Sequence, residues 1–236
     1  MVADEGSTVY LVDDDECVRV SFTRLLSTVG YVVRSYASAE DFLSHHDPAI
    51  PGCAVVDLSL PGMDGLGIQQ TLVSSQVNRP IIFVTGHGDI PTSVRAMKAG
   101  AVDFLTKPVE ASVLLSAVVH ALDRDLETRR EGERKQSIEK RLASLTPRER
   151  QVLAHVTAGR LNKQIAGDLG TVEKTIKVHR ARMMRKIGVR TVADLVRLVA
   201  SVDPAVDAPG LALGPTTALP SLAVEDADGR DSRDRG

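Results

Sequence analysis

From residue 7 to residue 122 the chain alternates five times between a short apolar run and a longer segment whose apolar positions recur three and four apart. The runs near 8–12, 32–35, 53–57, 80–85 and 102–106 predict strands. The segments near 16–29, 38–45, 64–75, 90–99 and 110–122 predict helices. The strand runs are rich in Val, Ile and Leu with little polar alternation, as in strands covered on both faces. Such an alternation predicts an α/β fold, a doubly wound five-stranded parallel sheet. Gly30 and Gly100 stand just past helix ends, and Pro91 suits a first helical turn.

The pattern changes after residue 122. Residues 123–143 are mostly charged, with Leu126, Ile138 and Leu142 as sparse apolar points. They predict a solvated linker helix. A dimerising coiled coil would need a continuous heptad seam, which the gap between Leu126 and Ile138 breaks. From 144 to 202 the periodicity is purely helical and predicts a four-helix domain. Thr146-Pro147-Arg148-Glu149 reads as a capping box, and further helices are expected near 162–169, 173–187 and 191–201. Residues 203–236 are rich in Pro, Ala, Gly and Asp and read as a disordered tail.

Charge sharpens this division. The net formal charge of the 236-residue chain is −2, but residues 1–121 carry −7 and residues 144–202 carry +8. An acidic block followed by a basic one predicts two domains with different partners, the second partner polyanionic. Two cysteines, Cys17 and Cys53, make neither a disulfide framework nor a zinc motif. No apolar run approaches 18 residues, so no membrane span is expected and a cytoplasmic location is the default. Only 3% of residues are aromatic and none is Trp, which argues against a stacking platform for single strands.

Candidate chemistry lies where four predicted strands end. They run into Asp13-Asp14, Asp57, Thr85 and Lys107-Pro108. Open α/β sheets place their sites outside the strand carboxyl ends. Three carboxylates could gather at a hard divalent cation such as Mg²⁺, and one could attack phosphorus. Thr85 and Lys107 could bind phosphoryl oxygens.

These residues resemble the response-regulator receiver family. The resemblance rests on Val12-Asp13-Asp14, on Asp57 through Gly65 (DLSLPGMDG), on Thr85-Gly86-His87-Gly88-Asp89 and on Ala99 through Pro108 (AGAVDFLTKP). It implies a flavodoxin-like receiver domain over residues 1–122. Asp57 would be the phosphoacceptor, served by a sensor histidine kinase. Asp13, Asp14, Asp57 and the Ser59 carbonyl would form the Mg²⁺ site, with Asp14 a direct ligand and Asp13 acting largely through water. Thr85 and Phe104 would be the switch pair, Lys107 would contact phosphate, and the Lys107–Pro108 bond would be cis. A phosphohydrolase on a related sheet would want a second Asp two residues after the nucleophile. Ser59 stands there, so fast turnover lacks a proton shuttle, and no separate enzymatic activity is expected. A flavin site would lack a phosphate cradle.

Other residues invite sharper readings that the bland ones outweigh. Acidic neighbours disfavour a reactive Cys17 thiolate. His45 and His46, adjacent on one helix, face different directions and read as a solvated helix end. His87 could influence water at the site mouth or be a plain loop residue.

The predicted helix 173–187 divides into a basic face and an apolar face holding Ile176, Met183 and Ile187. Residues 145–198 resemble the LuxR/NarL/FixJ type of helix-turn-helix domain, through LTPRERQVL at 145–153, NKQIA at 162–166 and KTIKVHR at 174–180. Behind a receiver, the whole resembles a FixJ-subfamily transcription regulator. By position Lys177, Val178 and Arg180 would face base edges, while Lys174, Thr175 and His179 would contact phosphates or orient the helix. The helix at 191–201 matches the dimer helix. The resemblance implies a phosphorylation-dependent activator that dimerises, binds promoter DNA and engages RNA polymerase. A regulator that uses its receiver only for interactions is the alternative. Val172 departs from the usual capping Ser or Thr, so the recognition helix is expected to begin frayed or displaced unless Thr171 caps it.

Overall fold

The computed structural model describes residues 7–86 and 89–202. These fall into two compact units divided between Ala143 and Ser144. His87 and the tail beyond 202 lie outside the described residues.

The first unit holds strands β1 (Thr8–Val12), β2 (Val32–Tyr36), β3 (Gly52–Asp57), β4 (Ile81–Thr85) and β5 (Asp103–Thr106). All pair in parallel in the order β2-β1-β3-β4-β5. Helices α1 (Glu16–Thr28), α2 (Ala39–His45), α3 (Gly65–Ser74) and α4 (Ile90–Lys98) connect them, and α5 (Ala111–Ala143) follows β5. Period-two alternation splits the strand residues between two cores. Val9, Leu11, Val55, Ile82 and Val84 pack with Leu26 of α1 and Leu114 and Val118 of α5. Tyr10, Val12, Val56 and Phe83 pack on the other face with Phe42 of α2, Ile68 of α3 and Ala96 of α4. Cover on both faces is why the three inner strands β1, β3 and β4 read as largely unbroken apolar runs.

Cys53, in the central strand β3, is fully buried, and burial pushes its thiol up to about 12. Cys17, in the first turn of α1, is exposed.

One difference from the sequence reading concerns α5. No break separates a receiver helix from a linker: one helix runs 33 residues, from Ala111 to Ala143. Its buried stripe of Leu114, Ala117, Val118 and Ala121 continues at helical spacing to Asp125, a carboxylate only 2% exposed. Asp125 Oδ2 accepts the Gly52 amide at 2.8 Å and Arg129 Nε at 2.7 Å. Arg129 in turn donates to the carbonyls of Pro48, Ala49 and Ile50. Residues 125–129 are therefore clasped to the loop before β3. Gly52 also lets β3 begin close against β1, since a Cβ there would lie 1.9 Å from the Thr8 carbonyl oxygen.

Arg79 completes the polar cluster. It is buried, lies 5.0 Å from the Tyr10 ring centroid, and donates to the carbonyls of Asp47, Ile50 and Gly52. Its Nε donates to His46 Nε2 at 2.9 Å. The expected solvated histidine pair is thus corrected. His45 is exposed, but His46 is half-buried against Tyr10 and Phe42. Burial and then the Arg79 charge lower His46 to about 4, keeping it a neutral acceptor.

The second unit contains α6 (Pro147–Thr157), α7 (Asn162–Asp168), α8 (Glu173–Ile187) and α9 (Val192–Ala200). α6 and α7 pack on α8, and α9 packs on α6. Val152, Val156, Ile165, Ile176, Met183, Ile187, Leu195 and Val199 are among the side chains these helices bury. The capping box at Thr146 forms as expected. Its Glu149 also reaches Lys186 Nζ at 2.7 Å, tying the end of α8 to the start of α6. The Lys186 hydrogen bond, then the Thr146 amide, hold the Glu149 carboxyl at about 2.

Candidate phosphoryl site and nucleic-acid interface

The acidic residues meet beyond the carboxyl ends of β1 and β3. Asp13 follows β1, Asp57 closes β3, and both are buried; Asp14 is exposed. One oxygen from each of the three lies within 4.8 Å of the others. Three hard oxygen donors this close fit a small divalent cation. Local turns aim the pair: Asp13 Oδ1 accepts the Asp15 amide and Asp57 Oδ1 accepts the Ser59 amide, each at 2.9 Å. Gly65 lets α3 start close beneath, since a Cβ there would stand 2.6 Å from the Asp57 carbonyl oxygen.

Lys107 spans the two buried carboxylates. Its Nζ donates to Asp13 Oδ2 and to Asp57 Oδ2, both at 2.7 Å. Burial opposes the ammonium charge, but these two partners outweigh it and raise Lys107 above the ordinary lysine range. Burial also raises the Asp13 carboxyl, with the Lys107 and Asp15 hydrogen bonds acting against it. The site is a cluster of like charges held together by one cation, with room for more positive charge.

Thr85 ends β4, fully buried, and its carbonyl accepts the Lys107 amide at 2.8 Å. That bond places the loop bearing Lys107, whose peptide to Pro108 is cis. Phe104 on β5 is half-buried and packs against the core that includes Phe83 and Ala96. Ser59 is exposed beside Asp57. The structure thus gathers Asp13, Asp14, Asp57 and Lys107 at one edge, with Thr85 on the adjoining strand.

In the second unit, α8 begins at Glu173 with Val172 as its uncapped N-cap residue. The start is not displaced: the amides of Thr175 and Ile176 bond the Val172 carbonyl. Thr171 supplies no side-chain cap. Lys174, Lys177 and Val178 are exposed, whereas Thr175, His179 and Arg180 are half-buried. Lys177 pairs with Glu173 at 3.0 Å on open surface. Arg180 is held differently, with Nη1 donating to Asn162 Oδ1 of α7 at 3.0 Å.

Sequence reading missed Arg79, Asp125 and Asn162. Asp125 had a signal, a carboxylate at the next position of an apolar stripe. Arg79 had none, because its carbonyl partners are set by tertiary structure.

Among the described residues no helix is long and apolar enough to cross a membrane. Residues 9–119 match the response regulator receiver domain family, and residues 143–199 match the luxR family of bacterial regulatory proteins. Nodulation protein W of Bradyrhizobium diazoefficiens is 43% identical, the match covering 82% of this chain and 87% of that protein. The transcriptional regulatory protein FixJ of Azorhizobium caulinodans is 41% identical over 86% of this chain and 98% of its own. The solved structure of the response regulator StyR is 46% identical and covers 82% of this chain and 98% of its own, with a TM-score of 0.75.

Proposed function

Because the chain belongs to the two-component response regulators that join a receiver to a LuxR-type DNA-binding domain, we propose that it is a transcription regulator switched by phosphorylation of Asp57. The observation that carries this reading is the bridge of Lys107 to Asp13 and Asp57, which leaves a buried carboxylate beside a fixed cation. A kinase phosphohistidine would be the donor. An Asp57 oxygen attacks phosphorus, the P–N bond breaks, and the departing imidazole takes a proton. Lys107 turns from the carboxylate to a phosphoryl oxygen, and the Thr85 hydroxyl donates to another.

Asp13, Asp14, Asp57 and the Ser59 carbonyl would hold Mg²⁺, which offsets the charge of the incoming phosphoryl group. With Ser59 where a hydrolase would need an acid–base carboxylate, the phosphate is stored rather than turned over. Thr85 and Phe104 then rearrange together, remodelling the face of α4 and β5. On α4 that face exposes Ile90, Val94 and Met97, apolar surface suited to a second copy of the chain. Dimerisation there would bring two basic helices to paired half-sites in promoter DNA, where the regulator would act as an activator with RNA polymerase. The reading implies a cytoplasmic protein.

Asp57→Asn should retain weak DNA binding and lose all enhancement by acetyl phosphate with Mg²⁺. A variant that responds like the parent in a DNA-binding titration would overturn the assignment. It would favour the alternative in which the receiver is only an interaction module.

A further inference from the structure

The residues assigned to α8 differ in how firmly they are held. Lys177 and its partner Glu173 are 64% and 46% exposed, a surface pair that a phosphate or base edge can displace at small cost. Val178 has no polar atom with which to direct itself. Arg180 is half-buried, and its guanidinium is anchored across 18 residues of sequence to the Asn162 side chain.

An arginine reads guanine with two parallel N–H donors, and discrimination depends on holding that fork at a set angle. Free in solution the side chain samples many rotamers, and fixing it costs conformational entropy. Asn162 Oδ1 takes Nη1 and leaves the Nε–Nη2 pair for a ligand. Among the described residues Arg180 makes no other hydrogen bond. The acceptor is also suited in kind. A neutral amide orients the guanidinium without cancelling its charge, as a carboxylate would. Asn162 itself is the first residue of α7, after the N-cap residue Leu161, so its side chain is not needed to cap that helix.

We propose that Asn162, outside the recognition helix, is a positioning residue for sequence recognition. It holds the Arg180 fork for a guanine edge in the major groove. This rests on the placement of Arg180 against base edges, and the test separates the two.

The full chain, treated with acetyl phosphate and Mg²⁺, would be used to select duplexes from a randomised DNA pool. Each single-position variant of the best duplex would then be titrated. Asn162→Ala should flatten the preference at one position per half-site by about tenfold. That position should be the one flattened by Arg180→Ala, and the double variant should be no worse there than Arg180→Ala alone. The slope of log affinity against log salt should stay that of the parent. Asn162→Asp, which keeps an acceptor, should restore the preference while binding all duplexes more weakly. An Asn162→Ala protein with intact preference, with a uniform loss or gain on every duplex, or with flattening at a different position would overturn the inference. If Arg180→Ala itself kept the full preference, the placement of Arg180 would fail first and the inference with it. Helical circular dichroism confirms that each variant is folded.

Discussion

Glu149 illustrates how much one side chain can join. It closes the capping box of α6 through the Thr146 amide and anchors α8 through Lys186, although it is only 3% exposed. Its carboxyl is depressed from 4.5 to about 2, so the folded state favours the ionised form. The stability this contributes is complete above pH 4.5 and is lost as the pH falls toward 2. The melting temperature of the second unit should therefore drop steeply across that window. In Glu149→Gln the drop should be shallower, from a lower starting value at pH 7. Calorimetry of both proteins from pH 7 to pH 2 checks this. The capping box was legible in Thr-Pro-Arg-Glu because it is local. The Lys186 contact was not, because it spans 37 residues.

At the scale of the element, α5 carries the chief lesson. Its composition turns abruptly to charge after Leu122, and composition alone argues for a boundary there. The apolar stripe does not stop at that point; it ends in a buried carboxylate that accepts an amide 73 residues earlier in the chain. Asp125→Ala would leave the Gly52 amide without its acceptor and Arg129 without its anion, a loss of about 3 kcal/mol. Urea titration should show a lower midpoint with an unchanged slope. A receiver ending at Leu122 should be destabilised similarly, and one ending at Ala143 should match the full chain. The five strands, by contrast, were legible almost to the residue; in β1, β3 and β4 burial on both faces writes an unbroken apolar run into the sequence. The acidic edge was legible for the same reason, since its residues directly follow those runs. Lys107 was visible as a candidate, but its role as a bridge between Asp13 and Asp57 follows only from the packed sheet.

At the scale of the whole molecule, charge is segregated. Residues 1–121 carry −7 and residues 144–202 carry +8. Net negative charge carried on the same chain would oppose the approach of a polyanion such as DNA. Residues 144–202 form a unit with its own buried core, so they can be tested alone. At low salt this fragment should bind duplex DNA several-fold more tightly than the unphosphorylated full chain. By about 0.3 M salt, where screening shortens electrostatic range, the two should converge. Fluorescence anisotropy across a salt series measures both.

The two thiols lie on opposite sides of the folding barrier. Cys17 meets solvent at once, while Cys53 is sealed in the central strand with its proton held to about pH 12. An alkylating reagent should reach the first without any opening of the fold. It should reach the second only when β3 separates from its neighbours. Mass spectrometry of the singly and doubly labelled chains would then time the opening of the sheet, with no probe added and no residue changed.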